Sequence, residues 1–292
     1  MPATPSSPPW EGGLNLLTNG GQEQGVRTIY GVIIFMSTLY STTAIILSRR
    51  DFRETDRWYT ALTPEYGKIE FVARGGHKSL AKLTPHLEMI AEVELLLVQG
   101  RQYQIIAGVE RHHSFFGLHE NLNQLTLARN ALHLVDVATR PMERDSFLYE
   151  LLEQWLEFLC DTESISNERA GFLLGSFMLK LMDVCGYRPE LKLCLSCHKL
   201  IEPQNYHWHA LRGGVVCHSC SLANQQAWFS ARSISDDTLK IIRFALREPF
   251  SSQMRPHLKG EHLDSFHEVL ESFVICHFPI IPSVSLRTAC AV

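Results

Sequence analysis

The chain has 292 residues, 45% of them hydrophobic and 20% charged, and carries a formal net charge of −4. That is enough for one large domain or two to three small ones with real cores, and no stretch reaches the roughly 18–20 apolar residues that cross a bilayer. The first apolar run, "IYGVIIFM", is preceded by a single cation, Arg27, and so lacks the basic n-region of a signal peptide; a soluble cytosolic protein with reduced thiols is expected.

Residues 1–35 begin with "MPATPSSPPWEGG" and "NGGQEQG", rich in Pro, Ser, Gly, Asn and Gln. Such a composition buries too little apolar surface to offset ordering, so a disordered extension is expected ahead of the internal Met36. From there to residue 113, β-type runs alternate with turn signals: "TTAIILSRR", "DRWYTALT", "GKIEFVAR", "LEMIAEVELLLVQ" and "RQYQIIAGVE", broken by "TPEYG", "GGHKS" and "QGR". Five strands over this length predict a small barrel, OB-type or SH3-like, between which periodicity does not choose.

Between Arg49 and Lys82 lie eight basic residues, Arg49, Arg50, Arg53, Arg57, Lys68, Arg74, Lys78 and Lys82, against five acidic ones, Asp51, Glu54, Asp56, Glu65 and Glu70. In an acidic chain this local excess, interleaved with Trp58, Tyr59, Tyr66 and Phe71, suits a surface that tracks phosphates and stacks bases. The competing reading is a solvated charged face.

From residue 114 to 193 the period becomes helical, with apolar residues at i, i+3, i+4 and i+7 in "LHENLNQLTLARNALHLVDVAT", "DSFLYELLEQWLEFLC" and "NERAGFLLGSFMLKLMDVCG". Ser or Asn in "SISN" is the expected cap of the third helix, and Gly186 and Pro189 stop it. Trp155, Phe158, Phe172, Phe177 and Met178 are expected in the helical core. "SDDTLKIIRFAL" and "HLDSFHEVLESFVICHF" resume the helical period within 221–292.

Between these helical stretches, residues 194–220 read "CLSCHKLIEPQNYHWHALRGGVVCHSC", two CxxC pairs separated by nineteen residues. The spacing fits a zinc ribbon or knuckle, in which two tight turns present four thiolates to one ion. Cys194, Cys197, Cys217 and Cys220 are the expected ligands of one structural Zn²⁺, with a set substituted by His198, His207, His209 or His218 as the alternative. Cys160, Cys185, Cys276 and Cys290 are expected to be buried or idle thiols. Four sulfurs close the shell, leaving no position for an activated water. Other enzyme signatures fail: "GGHKS" lacks the glycine before its lysine, "HEVLE" is one residue short of H-E-x-x-H, His86–Glu88 has no P-C-x-x-C partner, and no G-x-S-x-G occurs. No catalytic residues are expected.

Two motifs carry a resemblance. The segment R-R-x-x-x-E-x-D-R (Arg49–Arg57) followed by T-x-E-x-G-K-I-x-x-V-A-R-G (Thr63–Gly75) resembles the opening of the RecO family of bacterial recombinational-repair proteins. "GYRPELKLCLSC" (186–197) resembles that family's link from a helix into its zinc module. The likeness runs from about residue 40 to 285 in the same order, although the family commonly has glycine where this chain has His198. It implies an α+β protein: an N-terminal OB-type β-barrel (36–113), then an α-helical domain (114–193 and 221–292) with an inserted four-cysteine zinc module (194–220). It also implies a non-enzymatic cytoplasmic, nucleoid-associated protein. Such a protein binds single- and double-stranded DNA and anneals complementary strands. It works with RecR and the SSB C-terminal tail to load RecA onto SSB-coated DNA. The rival expectations are a zinc-ribbon RNA-binding protein of the ribosome or transcription apparatus, and a nucleic-acid enzyme with structural zinc.

Overall fold

The computed structural model describes residues 39–76, 83–258, 260–279 and 286. The expectations for residues 1–35 and Met36, for Lys78 and Lys82, and for Cys290 and the tail lie outside the described residues. Strands β1 (Leu39–Phe52), β2 (Asp56–Thr63), β3 (Gly67–Ala73), β4 (Glu92–Gln99) and β5 (Gln104–His113) close in the order β1-β2-β3-β5-β4, with β4 returning to β1. Neighbours are antiparallel except β3 and β5, which pair in parallel at Phe71–Gln104 and Val72–Ile105. This crossover closure settles the open choice: the barrel is OB-like.

Strand alternation sends side chains into two different cores. Ala44, Ile46, Tyr59, Ala61, Phe71, Val93 and Leu95 fill the barrel. Ile45, Leu47 and Leu62 point the other way and join the helical core. That explains why Ala44–Leu47 is buried without a break: one end of the barrel wall is covered on both sides.

The helices are α1 (Leu122–Ala138), α2 (Ser146–Asp161) and α3 (Asn167–Val184), each started by a side chain that accepts a backbone N–H. Asn121, Asp145 and Ser166 play that part, satisfying donors that the first turn leaves unpaired. The first helix begins four residues later than its periodicity suggests, because a 3-10 turn over Phe116–His119 precedes the Asn121 cap. Trp155, Phe172 and Phe177 are fully buried, and Trp155 meets Phe250 edge-on at 4.8 Å. Gly186, at φ +86°, ends α3 with Tyr187 N–H donating to the Met182 carbonyl.

A small sheet then follows, ordered β7 (Gly214–Cys217), β6 (Tyr206–His209), β8 (Arg232–Ser233), with the short helix α4 (His218–Ala223) after β7. This sheet runs on past Cys220, since β8 pairs with His207 and Trp208. Helices α5 (Asp236–Arg247), capped by Ser235, and α6 (Gly260–His277) complete the described chain. Phe266 and Phe273 of α6 are buried against the helical core. No helix among the described residues is long and apolar enough to cross a membrane.

Candidate metal centre and nucleic-acid interface

Two tight turns bring the four cysteines together. The first is the 194–199 turn, in which Cys194 N–H donates to the Lys199 carbonyl at 2.8 Å and His198 N–H to the Cys194 carbonyl at 2.9 Å. His198 holds φ +57°, a left-handed angle that glycine adopts at less cost, and the turn closes with histidine there. The second runs from β7 into α4, with Cys217 at the helix start and Cys220 in its first turn. β6–β7 pairing and the Leu195 N–H to Val215 carbonyl bond (2.9 Å) hold one turn over the other.

All four Sγ atoms lie within 4.8 Å of one another, and Cys197 and Cys217 are 3.9 Å apart. Sulfurs bonded at about 2.3 Å to a tetrahedral ion sit roughly 3.8 Å apart, so the donor set fits a zinc-type centre. Cys194 is fully buried against Val216 and Trp228, while Cys197 is exposed. Burial opposes ionisation of Cys194, but N–H groups of Cys197, Cys217 and Ser196 outweigh it and lower the thiol to about 6. Cys217 moves the other way, to about 12, because burial and the neighbouring Cys194 both disfavour its charge. A dication among the sulfurs would relieve that crowding.

No histidine joins the sulfur cluster among the described residues. The His207 ring nitrogens meet His218 Nδ1 (3.1 Å) and Ser233 Oγ (3.1 Å). His209 accepts the Arg212 N–H and meets Ser230 Oγ. The other described thiols are scattered: Cys160 and Cys185 are half-buried and Cys276 is exposed. Burial, with the nearby Asp145 and Glu143 carboxylates, pushes Cys185 up to about 11, which disfavours its thiolate.

The basic run is not one surface. Arg49 and Arg50 are consecutive on β1 and point to opposite sides, opposite Tyr59 and Trp58 respectively. Arg50 lies over the Trp58 ring at 4.9 Å, and Arg53, at the hairpin tip, lies over Phe52 (5.0 Å) and Tyr103 (5.7 Å). Phe52, Trp58 and Tyr103 meet edge-on, with centroids 5.1 to 5.9 Å apart. The cluster thus joins the β1–β2 hairpin to the β4–β5 turn at one end of the barrel. Nearby, Asp56 accepts the Gly75 N–H at 2.9 Å, which pins the exposed Arg74 turn to the hairpin. Arg57 is half-buried, 3.9 Å from Asp51.

Lys68 leaves the set. It is 8% exposed, and its ammonium is held by the Asp136 carbonyl (2.6 Å) and carboxylate (3.2 Å), which takes it into the barrel–helix junction. Tyr59 and Phe71 also depart from the stacking role, being fully buried inside the barrel and stacked on each other at 5.5 Å. Tyr66 is exposed but packs on Tyr40, away from the arginines. Phe52 and Tyr103 were missed by sequence reasoning. An "x-Arg-x-Tyr" tip between two strands, as at Arg101–Tyr103, was the available signal.

Two family models cover most of the chain. "Recombination protein O N terminal" matches residues 36–115 and "Recombination protein O C terminal" residues 119–286. Relatives named DNA repair protein RecO include one from Dehalococcoides mccartyi, 29% identical over 77% of this chain and 85% of its own length. Another, from Alkaliphilus metalliredigens, is 26% identical over 86% of this chain and 98% of its own. A third, from Symbiobacterium thermophilum, is 30% identical over 63% and 72% respectively.

Proposed function

The chain belongs to the RecO family of DNA repair proteins, and from that premise we propose that it is a non-enzymatic mediator that binds and anneals single strands at the barrel end. The observation that carries this reading is the Phe52–Trp58–Tyr103 cluster with Arg50 and Arg53 laid over it. Those residues sit on the first hairpin, on β2 and in the β4–β5 turn, the loops and face with which OB barrels engage oligonucleotides. Aromatic faces accept any base, while arginines beside them neutralise phosphates and release counterions. Sequence-tolerant binding of that kind suits annealing, where two strands of arbitrary sequence must be held without competing with their pairing.

Arg49, Arg50, Arg53, Arg57 and Arg74 are the proposed DNA contacts. Cys194, Cys197, Cys217 and Cys220 are the proposed ligands of one structural Zn²⁺, whose role is to fix the 188–193 segment and the small sheet on the helices. In the bacterial cytoplasm the protein would act with RecR to load RecA onto SSB-coated strands, the SSB C-terminal tail being a further partner. The test is an annealing assay with complementary oligonucleotides, bare and SSB-coated. Accelerated pairing in both settings, with no nucleotide hydrolysis, is expected. Preference for structured RNA without annealing would instead favour a ribosome- or transcription-associated role.

A further inference from the structure

A cavity of about 240 Å³ opens between α5 and the segment that leads from α3 into the cysteine knuckle. Four cations, Arg188, Lys192, Arg243 and Arg247, line it against one carboxylate, Glu190. Its floor is apolar, formed by Pro189, Leu191 and Leu246. In a chain of net charge −4 this is a local concentration of positive charge far from the arginines of β1 in sequence.

The carboxylate forms no ion pair with these cations among the described residues, although the Lys192 charge helps to hold it ionised. Glu190 folds back to accept the N–H groups of Lys192 (2.7 Å) and Leu193 (2.9 Å). Its own backbone is fixed by the small sheet, with Glu190 N–H donating to Gly213 and the Glu190 carbonyl accepting from Val215. Arg243 anchors the opposite wall by donating Nε and Nη2 to the Leu191 carbonyl. Arg188 pairs with Asp183 at 3.2 Å, whereas Lys192 and Arg247 are exposed and form no ion pair among the described residues. Arg243 and Arg247 stand one helical turn apart on the same face of α5. Cations therefore approach the space from two walls, both rigidly held.

We infer that this cavity takes a backbone phosphate of single-stranded DNA, a second contact separate from the barrel end. The inference rests on the DNA-binding reading above and extends it to the helical domain. The volume lies below the roughly 300–1,000 Å³ usual for small-molecule pockets, which suits one anionic group entering from the surface. A tetrahedral phosphate presents oxygens to several donors at once, and arginine forks match it bidentately. A carboxylate also accepts an arginine fork, but its two coplanar oxygens meet fewer of these converging donors than a phosphate does.

The experiment measures binding of a fluorescein-labelled oligothymidylate across a salt series with Lys192→Ala/Arg247→Ala, two exposed positions that anchor nothing. Each single-strand phosphate contact contributes about 0.7 to the salt slope, so losing this one contact should make the slope shallower by about 0.7, with an unchanged melting temperature. An unchanged slope in the double variant, while Arg53 or Arg74 substitutions do flatten it, overturns the pocket and leaves the barrel reading standing. Wild-type protein that fails to bind the oligonucleotide overturns both. Loss of binding to an acidic peptide with a free C-terminal carboxylate, with the DNA slope intact, overturns the inference by assigning the cavity to a peptide.

Discussion

Lys68 Nζ lies 2.6 Å from the main-chain oxygen of Asp136 and 3.2 Å from its carboxylate. The same aspartate accepts from Ser48 Oγ of β1 at 3.2 Å, so one α1 side chain gathers two barrel strands. The neighbouring Lys68 carbonyl accepts the Met142 N–H at 2.8 Å, and a Cβ on Gly67 would collide with the Glu143 carbonyl. The Gly67–Lys68 pair of the family-like motif therefore docks the barrel onto the helices.

Replacing Lys68 with Met should test that docking role. It removes a charged donor from a largely buried site and leaves the Asp136 carbonyl short of a partner. Hydrogen bonds to charged groups are each worth about 1.5–3 kcal/mol, which for a chain of this size lowers the melting temperature by something on the order of 5 °C. Calorimetry should record that drop, while the salt slope of DNA binding stays at its wild-type value. A flatter slope with intact stability would return Lys68 to the DNA face.

Much of this architecture was legible in the sequence. Strand count, helix order and the cap at Ser166 are local signals, and the two CxxC pairs announce a shared site through spacing alone. What could not be read was which cations share a face. Arg49 and Arg50 separate because a strand alternates sides, and Lys68 is drawn away by Asp136, 68 residues distant. Tyr103 joins Phe52 only because β4–β5 closes next to the first hairpin. Such pairings depend on barrel register, which a linear charge count does not contain.

Metal content gives a second prediction. Purified protein should hold one zinc per chain by elemental analysis, and Cys217→Ser or Cys220→Ser should lose it. Apparent binding energies of structural zinc reach about 10–16 kcal/mol, so the sheet that packs on Cys194 and Trp228 should unfold when the ion is removed. The barrel has its own core and should keep its β-sheet circular dichroism. Wild-type protein free of zinc, with an ordered 194–233 region, would refute this.

Trp58→Ala should separate stacking from charge. Base–aromatic stacking contributes about 1–3 kcal/mol per base, so affinity for single strands should fall roughly 5- to 150-fold. The salt slope should hardly move, because no phosphate contact is deleted. Tyr103→Ala should behave alike, while Tyr66→Ala, on the Tyr40 side of the barrel, should bind as wild type does. Equal losses in all three would mean that DNA does not use the barrel end.

Arg53 offers the cleanest test of the charge itself. It occupies the hairpin tip at φ +58°, a left-handed conformation unfavourable for arginine, and its guanidinium lies over Phe52 and Tyr103. A strained position that keeps a long cation, where Asn or Gly fits more easily, points towards a use for that cation. Arg53→Asn keeps the backbone angle accessible and removes the charge, so stability should stay within about 0.5 kcal/mol of wild type. The salt slope should become shallower by about 0.7, one single-strand phosphate contact. Adding Arg74→Glu, on the turn that Asp56 ties to the same hairpin, should bring the total to at least about 1.4 and slow annealing. The reverse pattern, an unaltered slope with a collapsed melting temperature, would make Arg53 a structural clamp on its aromatic neighbours and move the DNA path off this end of the barrel.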